Sequence, residues 1–197
     1  MERSVYDEFT EKVARVAESL TLGDPLQEGT VLGPLVSREQ LERVAGYLDI
    51  GAAQGARTIT GGARATEGAL ADGFFVPPTV FADVTDDMTI AREEIFGPVL
   101  SALAFDTVDE VLRRANDTRH GLAGGVWTRD IDKALTVSHG LESGMVFVNN
   151  YGVSDPALPF GGYKMSGYGR ENGRDHIDAY LETKSVWIQT ALPGSAQ

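Results

Sequence analysis

Apolar positions recur along the chain with two alternating periods, and these divide it into helices and strands. Val5, Phe9, Val13, Val16 and Leu20 fall at helical spacing behind a cap signal from Ser4 and Asp7, and Gly23-Asp24-Pro25 stops that helix. Ser37 with Gln40 three residues on is a capping-box pattern. It opens a second helix whose Leu41, Val44, Ala45 and Leu48 form one apolar stripe and whose end suits Gly55. The stretch from Phe74 to Phe81 must be extended, because adjacent Pro77 and Pro78 cannot lie inside a helix. Leu100–Phe105 reads as a buried strand, and Thr107 with Glu110 as a capping box opening a helix through Val111, Leu112 and Ala115. A strand over Leu122–Thr128, a helix over Ile131–Leu141 and a strand over Gly144–Asn149 follow, the last centred on Val146, Phe147 and Val148. A glycine-rich turn after Pro159, a helix over Asp175–Leu181 and a final strand over Ser185–Thr190 complete the chain.

Strands alternating with helices predict an α/β fold with a mostly parallel sheet and flanking helices. No internal repeat or low-complexity segment interrupts it. At 197 residues there is material for one sizeable domain or two small ones.

Charge narrows the function. The 29 acidic residues outnumber the 17 basic ones, for a net charge of −12, which argues against nucleic acid, where affinity rests on neutralising phosphates. No run approaches the roughly 18 apolar residues of a membrane span. Met1-Glu2-Arg3-Ser4 lacks the apolar stretch of a secretory signal. The chain has no cysteine, so disulfides and thiolate metal sites are excluded. A cytoplasmic protein is expected.

Two segments carry candidate chemistry. In Glu93-Glu94-Ile95-Phe96-Gly97-Pro98-Val99, adjacent carboxylates in an extended segment point to opposite sides, so they make a poor acid/base pair. One would face solvent or a cation. An inward one could accept a hydrogen bond from each hydroxyl of a vicinal diol, as in ribose recognition. Phe96 would share its side and could pack on a flat ring. The plainer alternative is a surface acidic pair with Phe96 in the core. The second segment, Pro159 to Gly167, has paired glycines that permit close backbone approach, and is either a shaped wall or a plain loop.

Other features point away from chemistry. Gly167-Tyr168-Gly169 has no glycine three residues later and so no dinucleotide fingerprint. Ser166 has Lys164, not glycine, two residues before it and is no nucleophile elbow. His120, His139 and His176 have no zinc-like spacing, and no metal site is expected. Lys164, Arg170, Glu171 and Lys184 are expected to form structural ion pairs.

From about Ser4 to Thr190 the chain resembles the C-terminal half of the aldehyde dehydrogenase superfamily. The matching landmarks, in the family's order, include Val5-Tyr6-Asp7-Glu8-Phe9, Gly33-Pro34-Leu35-Val36, Pro77-Pro78-Thr79-Val80, Glu93 to Val99, Gly144 to Asn149 and Pro159 to Gly167. The resemblance implies roles. Glu94 matches the glutamate that holds the nicotinamide-ribose hydroxyls of NAD or NADP, and Phe96 the aromatic that steadies the nicotinamide ring. Phe160 matches a residue lining the aldehyde tunnel, and Tyr151 and Val153 lie in the matching tunnel-mouth loop. It also implies a division into a partial catalytic domain over 1–167, a helical connection over 168–183 and an oligomerisation strand and tail over 184–197.

The departure is the missing thiol. In this family a cysteine thiolate attacks the aldehyde, and serine is a poor substitute because its hydroxyl is barely ionised at neutral pH. Aligned to the family, the cysteine, the general base and the dinucleotide fold lie upstream of Met1, so no catalytic residue is assigned in this chain. Three readings follow: a truncated or split dehydrogenase, an expected homo-oligomer or a partner of an upstream half, that oxidises an aldehyde only beside that half; a non-catalytic interaction module that uses its terminal strand to bind full-length dehydrogenase subunits; or a relic or recombinant fragment with no role.

Overall fold

The computed structural model describes residues 1–190, which form two compact units, Met1–Arg114 and the chain from Ala115 on. The helix α1 spans Tyr6–Ser19, and its buried face is not the expected one. Tyr6, Thr10, Ala14 and Ala17 are buried, whereas Val5, Phe9 and Val16 are 49–61% exposed. Small side chains at 10, 14 and 17 let α1 lie close against the sheet, and the Tyr6 hydroxyl ties it there. That hydroxyl donates to Ala102 O (3.0 Å) and accepts from Asp83 N (2.7 Å). The Ser4 cap is also absent. A 3-10 turn over Arg3–Val5 leads into the helix, Val5 is the N-cap, and Ser4 Oγ turns back to Glu2 instead.

The helix α2, Arg38–Ala53, follows its sequence pattern. Ser37 Oγ accepts from Gln40 N at 3.1 Å, satisfying one of the orphan donors of the first turn. Leu41, Val44 and Leu48 enter the core with Phe81 and Ile90, and Gly55 takes φ +94°, the left-handed stop. Strands β1 (Arg57–Thr60), β2 (Thr79–Ala82) and β3 (Val99–Ser101) form one sheet in that order. β2 pairs antiparallel with β1 and parallel with β3. Every residue of β2 is buried, as a central strand covered on both faces must be. The strand expected over Leu100–Phe105 ends at Ser101, and beyond it Phe105 makes only an isolated bridge to Glu2. A single turn, α3 (Thr89–Arg92), precedes the Glu93–Val99 segment. In α4 (Val108–Asn116) Thr107 Oγ1 accepts from Glu110 N at 3.1 Å, but the Glu110 carboxylate reaches Asp106 N, one residue earlier than a capping box requires.

The second unit is built on a βαβ element: β5 (Ala123–Val126), α5 (Ile131–Gly140) and β6 (Met145–Val148), with the strands parallel. Asp130 caps α5, accepting from Asp132 N and Lys133 N. The short strands β4 (His120–Gly121) and β7 (Tyr163–Lys164) pair antiparallel. Val146 and Phe147 are half-buried and Val148 is 37% exposed, because a two-stranded sheet cannot cover both of its faces. The helix expected over Asp175–Leu181 is a single turn, α6 (Asp175–Asp178).

The segment expected as a strand over Ser185–Thr190 lies in no helix or strand. Val186, Trp187 and Ile188 are 68–95% exposed, and no ladder partner reaches them among the described residues. Residues 191–197 of the expected tail lie outside the described residues. The fold is α/β. Among the described residues β2–β3 and β5–β6 pair parallel, the latter as the alternating pattern predicts, and β1–β2 and β4–β7 pair antiparallel. Among the described residues no helix is long and apolar enough to cross a membrane, and no cluster of three potential metal ligands occurs.

Candidate functional site

The two candidate regions lie in different units. In the first, the chain leaves α3 through Glu93 and runs along one side of α2. Ile95 is 8% exposed and joins the core beside Val44, while its neighbours Glu94 and Phe96 are exposed. Glu93 and Glu94 diverge as expected for adjacent extended residues. Tyr47 OH donates to Glu93 Oε2 at 2.7 Å, whereas the Glu94 carboxylate has no partner among the described residues. Neither carboxylate points into the core, because Ile95 takes that direction. Phe96 is 73% exposed, so the alternative that placed it in the core is overturned. Its backbone is left-handed, φ +56°, a conformation unusual for a residue with a Cβ.

Three successive carbonyls of this segment lie outside any strand and take their donors from α2. Arg43 Nη2 donates to Glu94 O (2.8 Å), and Gln40 Nε2 to Ile95 O (3.3 Å) and Phe96 O (2.8 Å). Sequence reasoning missed Gln40, Arg43 and Tyr47. The signal was a polar stripe at helical spacing beside the apolar one, which identifies a helix face but not its neighbour.

In the second unit, Tyr151, Val153 and Phe160 line one cavity of about 720 Å³ together with Phe147, Leu158 and Asp155. Tyr151 stacks on Trp127 (6.4 Å between ring centroids) and tilts against Phe147 (5.1 Å). Asp155 is the single charged residue among those lining the cavity. Phe147 was legible only as a strand residue, and its place in this wall depends on the return of the chain after β6.

Of the turn from Pro159 to Gly167, Pro159 and Phe160 line this cavity. Phe160 and Glu171 exchange backbone hydrogen bonds of 2.7 Å in both directions. A Cβ on Gly144 would lie 1.7 Å from Gly161 O, so the chain after β5–α5 approaches this turn more closely than any other residue would allow. Arg170 Nη1 donates to Gly162 O (3.0 Å) and Gly169 O (2.6 Å), and Ser166 Oγ accepts from Gly121 N (2.9 Å).

The remaining sequence candidates are structural. Lys164 pairs with Glu142 (2.7 Å) and donates to Asn116 O. Arg170 and Glu171 serve through carbonyl and backbone bonds instead of the expected ion pairs. His176 Nδ1 lies 3.1 Å from Arg170 O, His139 is exposed, and His120 Nε2 is buried with no hydrogen-bond partner. The carboxylates held below their usual range lie elsewhere, such as Asp106 through its hydrogen bond from Arg3 and Glu110 through the Asp106 N–H.

The sequence model of the aldehyde dehydrogenase family matches residues 1–186. The chain belongs to that family. It is 52% identical over 183 residues to a putative aldehyde dehydrogenase, DhaS, of Bacillus subtilis, covering 93% of this chain and 36% of that one. It is 48% identical to human 4-trimethylaminobutyraldehyde dehydrogenase, covering 96% and 39% respectively. The NAD⁺ complex of an aldehyde dehydrogenase from Bacillus cereus superposes with a TM-score of 0.90 at 46% identity, over 96% of this chain and 38% of that one. The chain thus spans little more than a third of the length of the relatives it matches, and it contains no cysteine.

Proposed function

We propose that this chain forms part of the cofactor and aldehyde walls of an NAD(P)-dependent aldehyde dehydrogenase, and that it oxidises an aldehyde only with polypeptide that supplies the thiol nucleophile. The family match over residues 1–186 carries this reading. Glu94 would hold the nicotinamide-ribose hydroxyls and Phe96 would brace the ring. Their geometry fits, since the Glu94 carboxylate is exposed with no internal partner among the described residues and Phe96 stands out from the core. The bound cofactor would supply the hydride acceptor. NAD is favoured over NADP by the NAD⁺ complex of the Bacillus cereus relative.

Tyr151, Val153 and Phe160 would line the aldehyde path. Aromatic faces beside Asp155, with no basic residue lining the cavity, suit an aldehyde bearing a cationic group. The name of the human relative, a trimethylamino aldehyde dehydrogenase, agrees. On this reading 1–167 is the partial catalytic domain, 168–183 a connection and 184–197 an oligomerisation segment, in a cytoplasmic homo-oligomer or a complex with the complementary portion.

The test is cofactor reduction by the chain alone and by the chain co-expressed with the upstream portion of a relative, using short aliphatic, aromatic and trimethylamino aldehydes. The chain alone should match the no-enzyme control, because without a covalent nucleophile there is no thiohemiacetal to donate hydride. Turnover by the chain alone, or none in the pair, would overturn the reading.

The exposed Val186, Trp187 and Ile188 support a second reading, a module that binds intact dehydrogenase subunits without adding activity. Its signature is tight association with an intact relative at unchanged turnover.

A further inference from the structure

The chain holds four asparagines, and the side chains of three are held. Asn116 accepts from Glu142 N (2.9 Å) and donates to Gly140 O (2.7 Å). Asn149 engages both the N–H and the carbonyl of Thr128, and Asn150 donates to Val148 O at 3.4 Å. Each of the three precedes a residue with a side chain: Asp117, Asn150 or Tyr151. Asn172 differs in both respects. It is exposed, its carboxamide makes no hydrogen bond among the described residues, and Gly173 follows it. The pair lies outside any helix or strand, with left-handed backbone at both residues, φ +57° and +65°. On one side Glu171 is tied to Phe160, and on the other Gly173 N donates to Pro156 O at 2.9 Å. Asn172 also lines the cavity whose single charged residue is Asp155.

An asparagine carboxamide is open to attack by the amide nitrogen of the next residue, and a glycine there presents no Cβ to obstruct the closure. We propose that Asn172 is a site of spontaneous deamidation that adds a second carboxylate to this cavity. Gly173 N gives up its proton and bonds to Asn172 Cγ; the Cγ–Nδ2 bond breaks, and the nitrogen leaves as ammonia, taking up that proton. Water then opens the cyclic imide at either of its two carbonyls, which yields aspartate or isoaspartate. Water enters, ammonia leaves, nothing is oxidised or reduced, and no other reactant is needed. The bond from Gly173 N to Pro156 O must open first, and one such backbone bond is a brake of about tenfold.

Both products place negative charge on the cavity beside that of Asp155. Isoaspartate also lengthens the main chain by one methylene between Glu171 and Gly173, the residues that tie this turn to Phe160 and Pro156. A cationic aldehyde gains from the added charge and an uncharged one does not. This consequence rests on the proposed place of the cavity in the aldehyde path; the deamidation itself does not.

The test has two arms. In the first, the chain alone is kept in mildly alkaline buffer, folded and, in parallel, unfolded in urea. Mass spectrometry of the peptide containing residue 172 and an isoaspartate assay follow the products. The folded chain should convert at residue 172 no more than about tenfold slower than the unfolded one, with Asn116, Asn149 and Asn150 intact. Asn172→Gln, whose longer side chain closes a ring far more slowly, should accumulate neither product. An intact Asn172 in the folded chain while the unfolded chain converts would overturn the proposal, as would equal conversion at the other three asparagines.

The second arm uses the chain completed by its upstream portion, with Asn172→Asp in place of the aspartate product. The KM of a trimethylamino aldehyde should fall about twofold to fivefold relative to that of an uncharged aldehyde of the same length, and salt should abolish the difference. An unchanged ratio would refute the effect of the new charge on the cavity. Conversion at residue 172 beside a completed chain that turns over neither aldehyde would uphold the modification and sink the proposed function.

Discussion

Gly144→Ala tests whether the wall around Phe160 depends on one backbone approach. An ideal Cβ at position 144 falls 1.7 Å from Gly161 O, 2.8 Å from Gly161 C and 3.2 Å from Gly162 Cα. An unstrained contact needs about 3.5 Å, so the turn must retreat by about 2 Å. All three obstructing atoms are backbone, and no rotamer change can yield. Overpacking of this kind costs about 1–3 kcal/mol. The retreat also strains the paired Phe160–Glu171 bonds of 2.7 Å, each worth about 1 kcal/mol net. If both bonds are lost the sum is roughly 3–5 kcal/mol. For a unit this small, 1 kcal/mol moves the midpoint by about 4–8 °C, so a fall of about 10 °C or more is expected. Thermal melts followed by near-ultraviolet dichroism of Trp127 and Tyr151, which stack beside the cavity, would report it. A variant melting within about 2 °C of wild type would refute the close approach.

In the completed enzyme Glu94→Gln should slow cofactor reduction by about ten- to a hundredfold, since charge-assisted bonds are worth roughly 1.5–3 kcal/mol. Glu93→Gln should do much less, because its amide oxygen can still accept from Tyr47 OH; pre-steady-state rates of the two decide, and a reversed order would reverse the assignment. Gly46→Ala, within α2 and with nothing within 4 Å of the new Cβ, should stabilise the first unit by about 0.5–1 kcal/mol in denaturant unfolding. Asp106, held below the usual carboxylate range chiefly by the hydrogen bond from Arg3, contributes stability that is present above its unfolded pKa and lost as pH falls through its lower folded value. Melting temperature against pH should therefore fall less steeply below about pH 4 in Asp106→Asn than in wild type.

Local signals read correctly wherever a residue answers to its own neighbours in sequence. Ser37 caps α2, Gly55 ends α2 in a left-handed turn, and the β5–α5–β6 unit follows from alternating periods. The missing thiol, the acidic charge and the ordered family landmarks are likewise sequence properties, and the landmarks suffice for the family. The failures are cases where several faces were available and burial chose among them. On α1 the bulky stripe of Val5, Phe9 and Val16 looked like the core face. The sheet selected Tyr6, Thr10, Ala14 and Ala17 because small side chains permit closer packing and the Tyr6 hydroxyl finds two partners across it. Ser185–Thr190 has the β-propensity of a strand but becomes one only against another backbone, which the described residues do not offer. The candidate site divides in the same way. The residue types at Glu94, Phe96 and Phe160 were visible in one dimension. The grip of α2 on three carbonyls, and the aromatic stack of Trp127, Tyr151 and Phe147, join residues far apart in the chain or on different elements, and only tertiary packing brings such groups within hydrogen-bonding or van der Waals reach.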